Sequence, residues 1–422
     1  MANEERHIIV IGGGIIGCST AYFLTRHPSY NPSRHKITIL EATEIAGGAS
    51  GKAGGLLALW AYPSSIVPLS YNLHAELARE HNGKERWGYR EVNCGQLAAE
   101  GCHWPFRDKP VEKSEEFSQN PGEAVSLEKR GDKAARESKS AEFPEDLDWF
   151  DAQALKSYEA MGSAGETAQV HPYLFTTSMA QLAEEKGARI VLGQVTRIDH
   201  SEDSVRSVTY MEKGTGASQT IPATDVVIAA GPWTRSVFPR APISALRAHS
   251  VVVRPTRPVS AYTLFTNLYL PAGFGFSSDK ESGRGKRTQP TVVSPEIYAR
   301  PDDTIYACGE GDTTVPLPET TADVQVDPAR CQDIIASIGS VSKVLREGEV
   351  IARQACYLPN VDVSRAGPLI GHVGIRGLFM ATGHTCWGIQ NAPGTGKLVS
   401  EFVFEGQAKS ASISGLDPRK YL

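Results

Sequence analysis

The hexapeptide Gly12-Gly13-Gly14-Ile15-Ile16-Gly17 constrains this chain more than any other feature. It satisfies the G-x-G-x-x-G pattern between a buried strand, read from His7 to Ile11, and a helix, read from about Ile15 to Thr25. In that setting Gly12 allows the tight turn, Gly14 lets backbone N–H groups approach a pyrophosphate, and Gly17 lets helix and strand pack closely. The helix N-terminus adds its own attraction for negative charge. A second strand, Lys36 to Glu41, completes a βαβ unit. Glu41 ends that strand, where a carboxylate accepts hydrogen bonds from the two ribose hydroxyls and disfavours a 2′-phosphate. The polar stretch His27 to Lys36 explains why Glu41 lies beyond the usual separation of about twenty residues. Taken alone, these residues fit NAD and FAD equally.

What separates the two cofactors is the run Ala46-Gly47-Gly48-Ala49-Ser50-Gly51-Lys52-Ala53-Gly54-Gly55, with five glycines, one serine and one lysine. Such a run wraps closely around phosphates and a flavin ring, and a nicotinamide-only unit rarely carries it. At this point the sequence resembles the D-amino acid oxidase, glycine oxidase and sarcosine oxidase superfamily. Val227-Ile228-Ala229-Ala230-Gly231-Pro232-Trp233 is similar to that family's turn beside the cofactor. Leu378 to His384, followed by Trp387-Gly388-Ile389-Gln390, is similar to its closing FAD loop. Pro295 to Tyr298, Arg300 to Asp302 and Cys356 to Pro359 place the chain nearest a fungal group of oxidoreductases whose substrate is not settled.

The resemblance implies a fold that is α/β plus α+β, a Rossmann-like FAD-binding domain with a second, antiparallel-sheet substrate domain. The FAD domain is expected from residues 1–60, 171–245 and 355–422, and the substrate domain from 61–170 and 246–354. A charged stretch, 104–148, reads as a mobile surface insertion. The implied cofactor set is Gly12, Gly13, Gly14, Ile16, Gly17, Glu41, Ala49, Ser50, Gly51, Lys52, Ala53, Gly54, Gly55, Val195, Ala230, Gly231, Trp233, Cys356, Gly383, His384, Gly388, Ile389 and Gln390. Cys356 stands where sarcosine-oxidase-like members place the cysteine that bonds the flavin; the alternatives are that link and a buried apolar thiol beside non-covalent FAD.

The implied activity is oxidation of a C–N bond in a small amine or amino acid by hydride transfer to flavin N5, with dioxygen as acceptor giving hydrogen peroxide. His384, Trp387 and Lys52 are the catalytic candidates. His171, His249 and Tyr298 are candidates for the substrate cavity or for ordinary interface roles. The sequence departs from the sarcosine-oxidase-like pattern in one respect. That pattern holds a substrate carboxylate with an arginine after the glycine-rich turn and a lysine in the closing loop. Here Leu56-Leu57-Ala58 and Thr385 to Gly388 occupy those places, leaving Arg247, Arg254, Arg300 and Arg353 as candidate substitutes. The departure keeps two alternatives open: a flavoprotein with a non-amine donor, and a flavin-stabilised interaction or trafficking protein docking through 104–148.

Composition excludes other classes. A formal charge of -5 across 422 residues gives no polyelectrolyte bias toward nucleic acid. No run reaches the roughly eighteen apolar residues of a membrane span, and the start has no secretory pattern, so a cytoplasmic protein is expected. Seven cysteines without a CxxC spacing suggest neither a disulfide framework nor a metal site.

Overall fold

In the computed structural model, residues 5–103, 139–140, 142–274, 289–364 and 366–422 are described. The first strand, Arg6–Ile11, is made of β-branched residues, and Ile8, Ile9, Val10 and Ile11 are all at most 4% exposed. A strand so apolar on both faces needs cover on both sides, and parallel sheets provide it. It forms the centre of an eight-stranded sheet ordered Ser218–Pro222, Val205–Glu212, Ala188–His200, His35–Glu41, Arg6–Ile11, Asp225–Ile228, Leu378–Thr382 and Leu369–His372. The four central pairings are parallel and the outer ones antiparallel. The strand that the sequence alone reads as Ala188 to Leu192 continues to His200, because its second half turns away to pair with Val205–Glu212.

The second sheet has nine strands, with Glu349–Val361, Ile243–Arg254, Ile305–Cys308, Glu296–Ala299, Tyr262–Leu270, Asn93–Glu100 and Leu155–Gly162 following one another. It is antiparallel except where Tyr262–Leu270 runs parallel to Asn93–Glu100, so the purely antiparallel expectation is corrected at that pair. The chain between those two strands passes through the first sheet, the kind of long crossover that parallel neighbours require. One face of this sheet packs Leu264, Ile297, Ala299, Ile305 and Ala307 against the helix Pro328–Gly339. The alternate residues Phe265, Tyr298, Tyr306 and Cys308 point the other way, toward Trp60 and Trp387. The boundaries expected at 245/246 and 354/355 fall inside Ile243–Arg254 and Glu349–Val361, which pair along almost their whole length.

Two further expectations change. Most of the stretch 104–148 lies outside the described residues, but Leu147, at its end, is 1% exposed in the core beside Trp149. The closing helix, which the sequence alone reads from about Thr395 to Phe404, begins at Gly388 and runs to Glu405 through Pro393. Proline removes the N–H that Ile389 O needs four residues earlier. Buried His74, from the helix Val67–Glu80, supplies it instead, with Nε2 at 3.0 Å from that carbonyl. Burial lowers the His74 pKa to about 4, so the ring is neutral at neutral pH. Among the described residues no helix is long and apolar enough to cross a membrane.

Candidate dinucleotide and substrate site

The glycine turn opens a cleft enclosing about 1250 Å³ between atoms, counting its open mouth. At one end Gly12 holds φ +114°, and a Cβ on Gly17 would stand 2.0 Å from Gly12 O. Both positions admit only glycine if helix Ile15–Leu24 is to start here. The Ser50 hydroxyl accepts a hydrogen bond from Ile15 N at 2.9 Å, so the glycine-rich run caps the helix that no local side chain caps. Glu41 accepts from Gly13 N at 2.7 Å and from Thr43 N at 2.8 Å, which fixes its carboxylate at the end of its strand.

Of the expected cofactor residues, Gly12, Gly14, Ile16, Glu41, Ala49, Ser50, Ala53, Val195, Ala230, Gly231, Trp233, His384, Gly388 and Ile389 line this cleft. Others shape its walls from behind. A Cβ on Gly51 would meet Ala46 O at 2.3 Å, one on Gly55 would meet Val170 O at 2.0 Å, and one on Gly383 would meet Val361 Cγ2 at 2.4 Å. Gly54 lies against the Tyr298 ring. Gln390 turns its Oε1 to Ala58 N, 2.7 Å away.

The residues present fit FAD at both ends. At the far end from the glycine turn, His384 Nδ1, Thr385 Oγ1 and Gln390 Nε2 are buried polar atoms with no partner. Buried polar groups are normally bonded, so of these three His384 and Thr385, which line the cleft, are positioned for polar atoms of a ligand. Burial pushes the His384 pKa down to about 3, and its Nε2 lies 3.0 Å from Thr395 Oγ1, so it presents a neutral ring. Trp387 packs edge-on to Trp60 at 5.6 Å rather than lining the cleft.

Lys52 donates from Nζ to Ala355 O at 3.1 Å, in the neighbourhood of Cys356. Cys356 itself is buried with Leu246, Ala248 and Leu358, and Ala49 and Cys386 pack against them. Burial pushes its thiol up to about 11, against the pull of Lys52, so it is protonated at neutral pH. A thiolate is the nucleophilic form.

The candidate arginines separate clearly. Arg247 is tied to buried Asp312 by two bonds of 3.1 and 3.2 Å, Arg254 pairs with exposed Glu349, and Arg353 reaches Gln332. Arg300 alone reaches the glycine-rich run, donating from Nη2 to Ala53 O. It is 5% exposed, its Cζ stands 4.8 Å from the centre of the Tyr306 ring, and its Nε has no partner among the described residues. Burial pulls its pKa down, and the nearby Asp302 carboxylate opposes that through space without a direct hydrogen bond among the described residues. Of its two alternatives, His249 takes the ordinary interface role. It faces the helix Pro328–Gly339, where its Nε2 accepts from Asp327 N at 3.0 Å. His171 caps the helix Pro172–Glu184 and stands 3.4 Å from Asp302.

Sequence reasoning missed Glu319, Thr320 and Thr321, which line the cleft from the long connection between Ile305–Cys308 and Pro328–Gly339. The Thr320-x-x-Asp323 spacing, a capping box in the structure, was the available signal. Among the described residues no cluster of histidine, cysteine and acidic groups could hold a metal ion.

Comparison with known proteins follows the same outline. The family model described as FAD dependent oxidoreductase matches residues 7–402. TDA3 of Saccharomyces cerevisiae is 34% identical over 99% of this chain and 95% of its own. The C1F5.03c protein of Schizosaccharomyces pombe is 33% identical over 99% and 98%. Among solved structures, glycine oxidase from Geobacillus kaustophilus superposes with a TM-score of 0.67 at 21% identity, covering 99% of this chain and 100% of that one. Iminodiacetate oxidase from Chelativorans gives 0.66 at 17% identity over 97% and 98%. At these identities the structural matches speak for the fold.

Proposed function

Since the chain belongs to the FAD dependent oxidoreductase family, we propose that it oxidises the C–N bond of a small amine that carries a carboxylate, with dioxygen as electron acceptor. When bound, FAD supplies the hydride acceptor, and the chemistry of the cofactor leaves the protein to orient and desolvate the substrate. The observation that carries this reading is Arg300. A guanidinium so buried needs an anion or a full set of acceptors, and among the described residues Ala53 O is its one hydrogen-bond acceptor, with the Tyr306 ring against it and Asp302 acting on it through space. A carboxylate takes two of its N–H groups side by side.

Leu358 and Cys386, beside that end of the cleft, give it an apolar wall. Such a wall favours a neutral amine over an ammonium, because burial disfavours the charged form. His384 holds no proton to donate as an acid near neutral pH, since burial keeps it neutral, and its role is to hold the closing loop against Thr395. We further place the protein in the cytoplasm, with FAD held without a covalent bond. The neutral Cys356 thiol supports the last point.

The test is anaerobic bleaching of the purified yellow protein by D- and L-amino acids, N-methyl amino acids, polyamines and simple amines. Bleaching by a carboxylate-bearing amine is the expected result. Bleaching by none of them, with flavin fully loaded, sinks the amine reading and brings forward a non-amine donor.

A further inference from the structure

We propose that the connection between the strand Ile305–Cys308 and the helix Pro328–Gly339 is a strap that retains the dinucleotide, and that FAD enters or leaves only when it lifts. The inference rests on the FAD assignment and not on the identity of the donor.

The connection leaves the second domain and crosses the cleft from wall to wall. Its tip residues Glu319, Thr320 and Thr321 line the cleft. On one side the Thr321 hydroxyl meets that of Thr43, two residues beyond Glu41, and Thr321 Oγ1 would lie 3.1 Å from a Cβ on Gly47. On the other side Trp233, itself a lining residue, donates from Nε1 to Pro318 O at 2.7 Å. A ligand reaching from the glycine turn to His384 therefore runs beneath it.

Root and tip differ physically. At the root, Asp312 is fully buried and receives Arg247 at 3.1 Å, Arg330 at 3.2 Å and the Thr314 amide at 3.0 Å. Breaking such a cluster is expensive. From Thr313 to Val326, by contrast, no residue is buried. Segments with few buried apolar contacts open at far lower free energy than the fold around them. What holds the tip is a short set of polar contacts: Thr43, Trp233, and the Tyr357 hydroxyl shared between Val315 O and Pro316 O at 3.1 and 3.0 Å. The Thr320–Asp323 capping box keeps the tip in one shape, so it moves as a unit. A fixed root with a polar, unburied tip over a ligand cleft is the construction of a lid.

The experiment joins Thr43→Cys with Thr321→Cys and compares one FAD-loaded preparation oxidised by diamide with the same preparation reduced by dithiothreitol. FAD release is read as the rise of free-flavin fluorescence after dilution, and the disulfide is verified by thiol titration. Release at least tenfold slower in the oxidised form, with neither single variant responding, is the expected result. Equal rates with the disulfide formed overturn the proposal; failure of the disulfide to form overturns the contact on which it rests. Tyr357→Phe tests the opposite direction from a residue outside the cleft lining. It should speed release severalfold, and an unchanged rate counts against the strap.

Discussion

The two ends of the cleft are built differently. The end at the glycine turn is made by residues close in sequence, through backbone geometry: Gly12, Gly13 and Gly14 in the turn, Ser50 capping Ile15, Glu41 fixed by Gly13. The other end is assembled from side chains far apart in the chain, with Leu358, His384 and Cys386 lining it and Arg300 reaching the backbone of Ala53 beside it. The first end tolerates almost no change of residue type, because its donors are peptide groups that only glycine lets approach. The second can be rebuilt residue by residue, so binding specificity can vary there while the cofactor grip stays fixed.

That contrast can be broken at several points. The largest effect is expected from Gly17→Val, whose Cβ would sit 2.0 Å from Gly12 O. The purified protein should be colourless, and a flavin absorbance ratio near the parent's would show that backbone geometry does not govern the first end. Acid comes next. Burial depresses His74 and His249 to about 4 and His384 to about 3. Above pH 6.5 folded and unfolded chains carry these rings neutral alike. As pH falls below 6.5 the unfolded chain takes up protons that the folded chain refuses, at up to about 1.4 kcal/mol per pH unit for each histidine. The melting temperature should therefore fall steadily from pH 6.5 toward pH 4, and a flat profile across that window contradicts the buried neutral rings.

At the second end, Arg300→Gln should raise KM for a carboxylate-bearing substrate by about a hundredfold, in line with the roughly 2–5 kcal/mol of a truncated buried charge pair. Its kcat should move far less. An unchanged KM would mean that this guanidinium serves the fold alone. His74→Phe strands the Ile389 carbonyl inside the molecule, a loss of about 1–3 kcal/mol to be read from the midpoint of denaturant unfolding. The smallest change is expected from Glu41→Gln, which should weaken FAD binding by about tenfold through loss of a charged acceptor, measured by fluorescence titration of the apoprotein.

The same difference explains how far the sequence could be read. Gly12 to Gly17, Glu41 and Ala46 to Gly55 announce the first end because a backbone constraint leaves its mark on residue type wherever it acts. Arg300 carries no such mark. In the sequence it is one of four equivalent arginines, and only the pairing of Glu296–Ala299 with its neighbours carries it to Ala53. The strap was hidden for another reason: its contacts are made by threonine hydroxyls and a proline carbonyl, groups common in any loop. The early start of the closing helix was obscured by Pro393, whose missing N–H is compensated by a histidine more than three hundred residues away.

The strand order of the first sheet has a consequence for biosynthesis. Arg6–Ile11 emerges from the ribosome first, yet its neighbour Asp225–Ile228 arrives after half the chain, and Leu378–Thr382 only near the end. Until Asp225–Ile228 is made, the apolar strand Arg6–Ile11 therefore has an open edge, the condition under which nascent chains aggregate. Cofactor cannot close that gap early, since Thr382 to Ile389 must be released before the cleft has its last wall. Flavin loading therefore waits for the closing loop, a step that comes long after the glycine turn itself has been made.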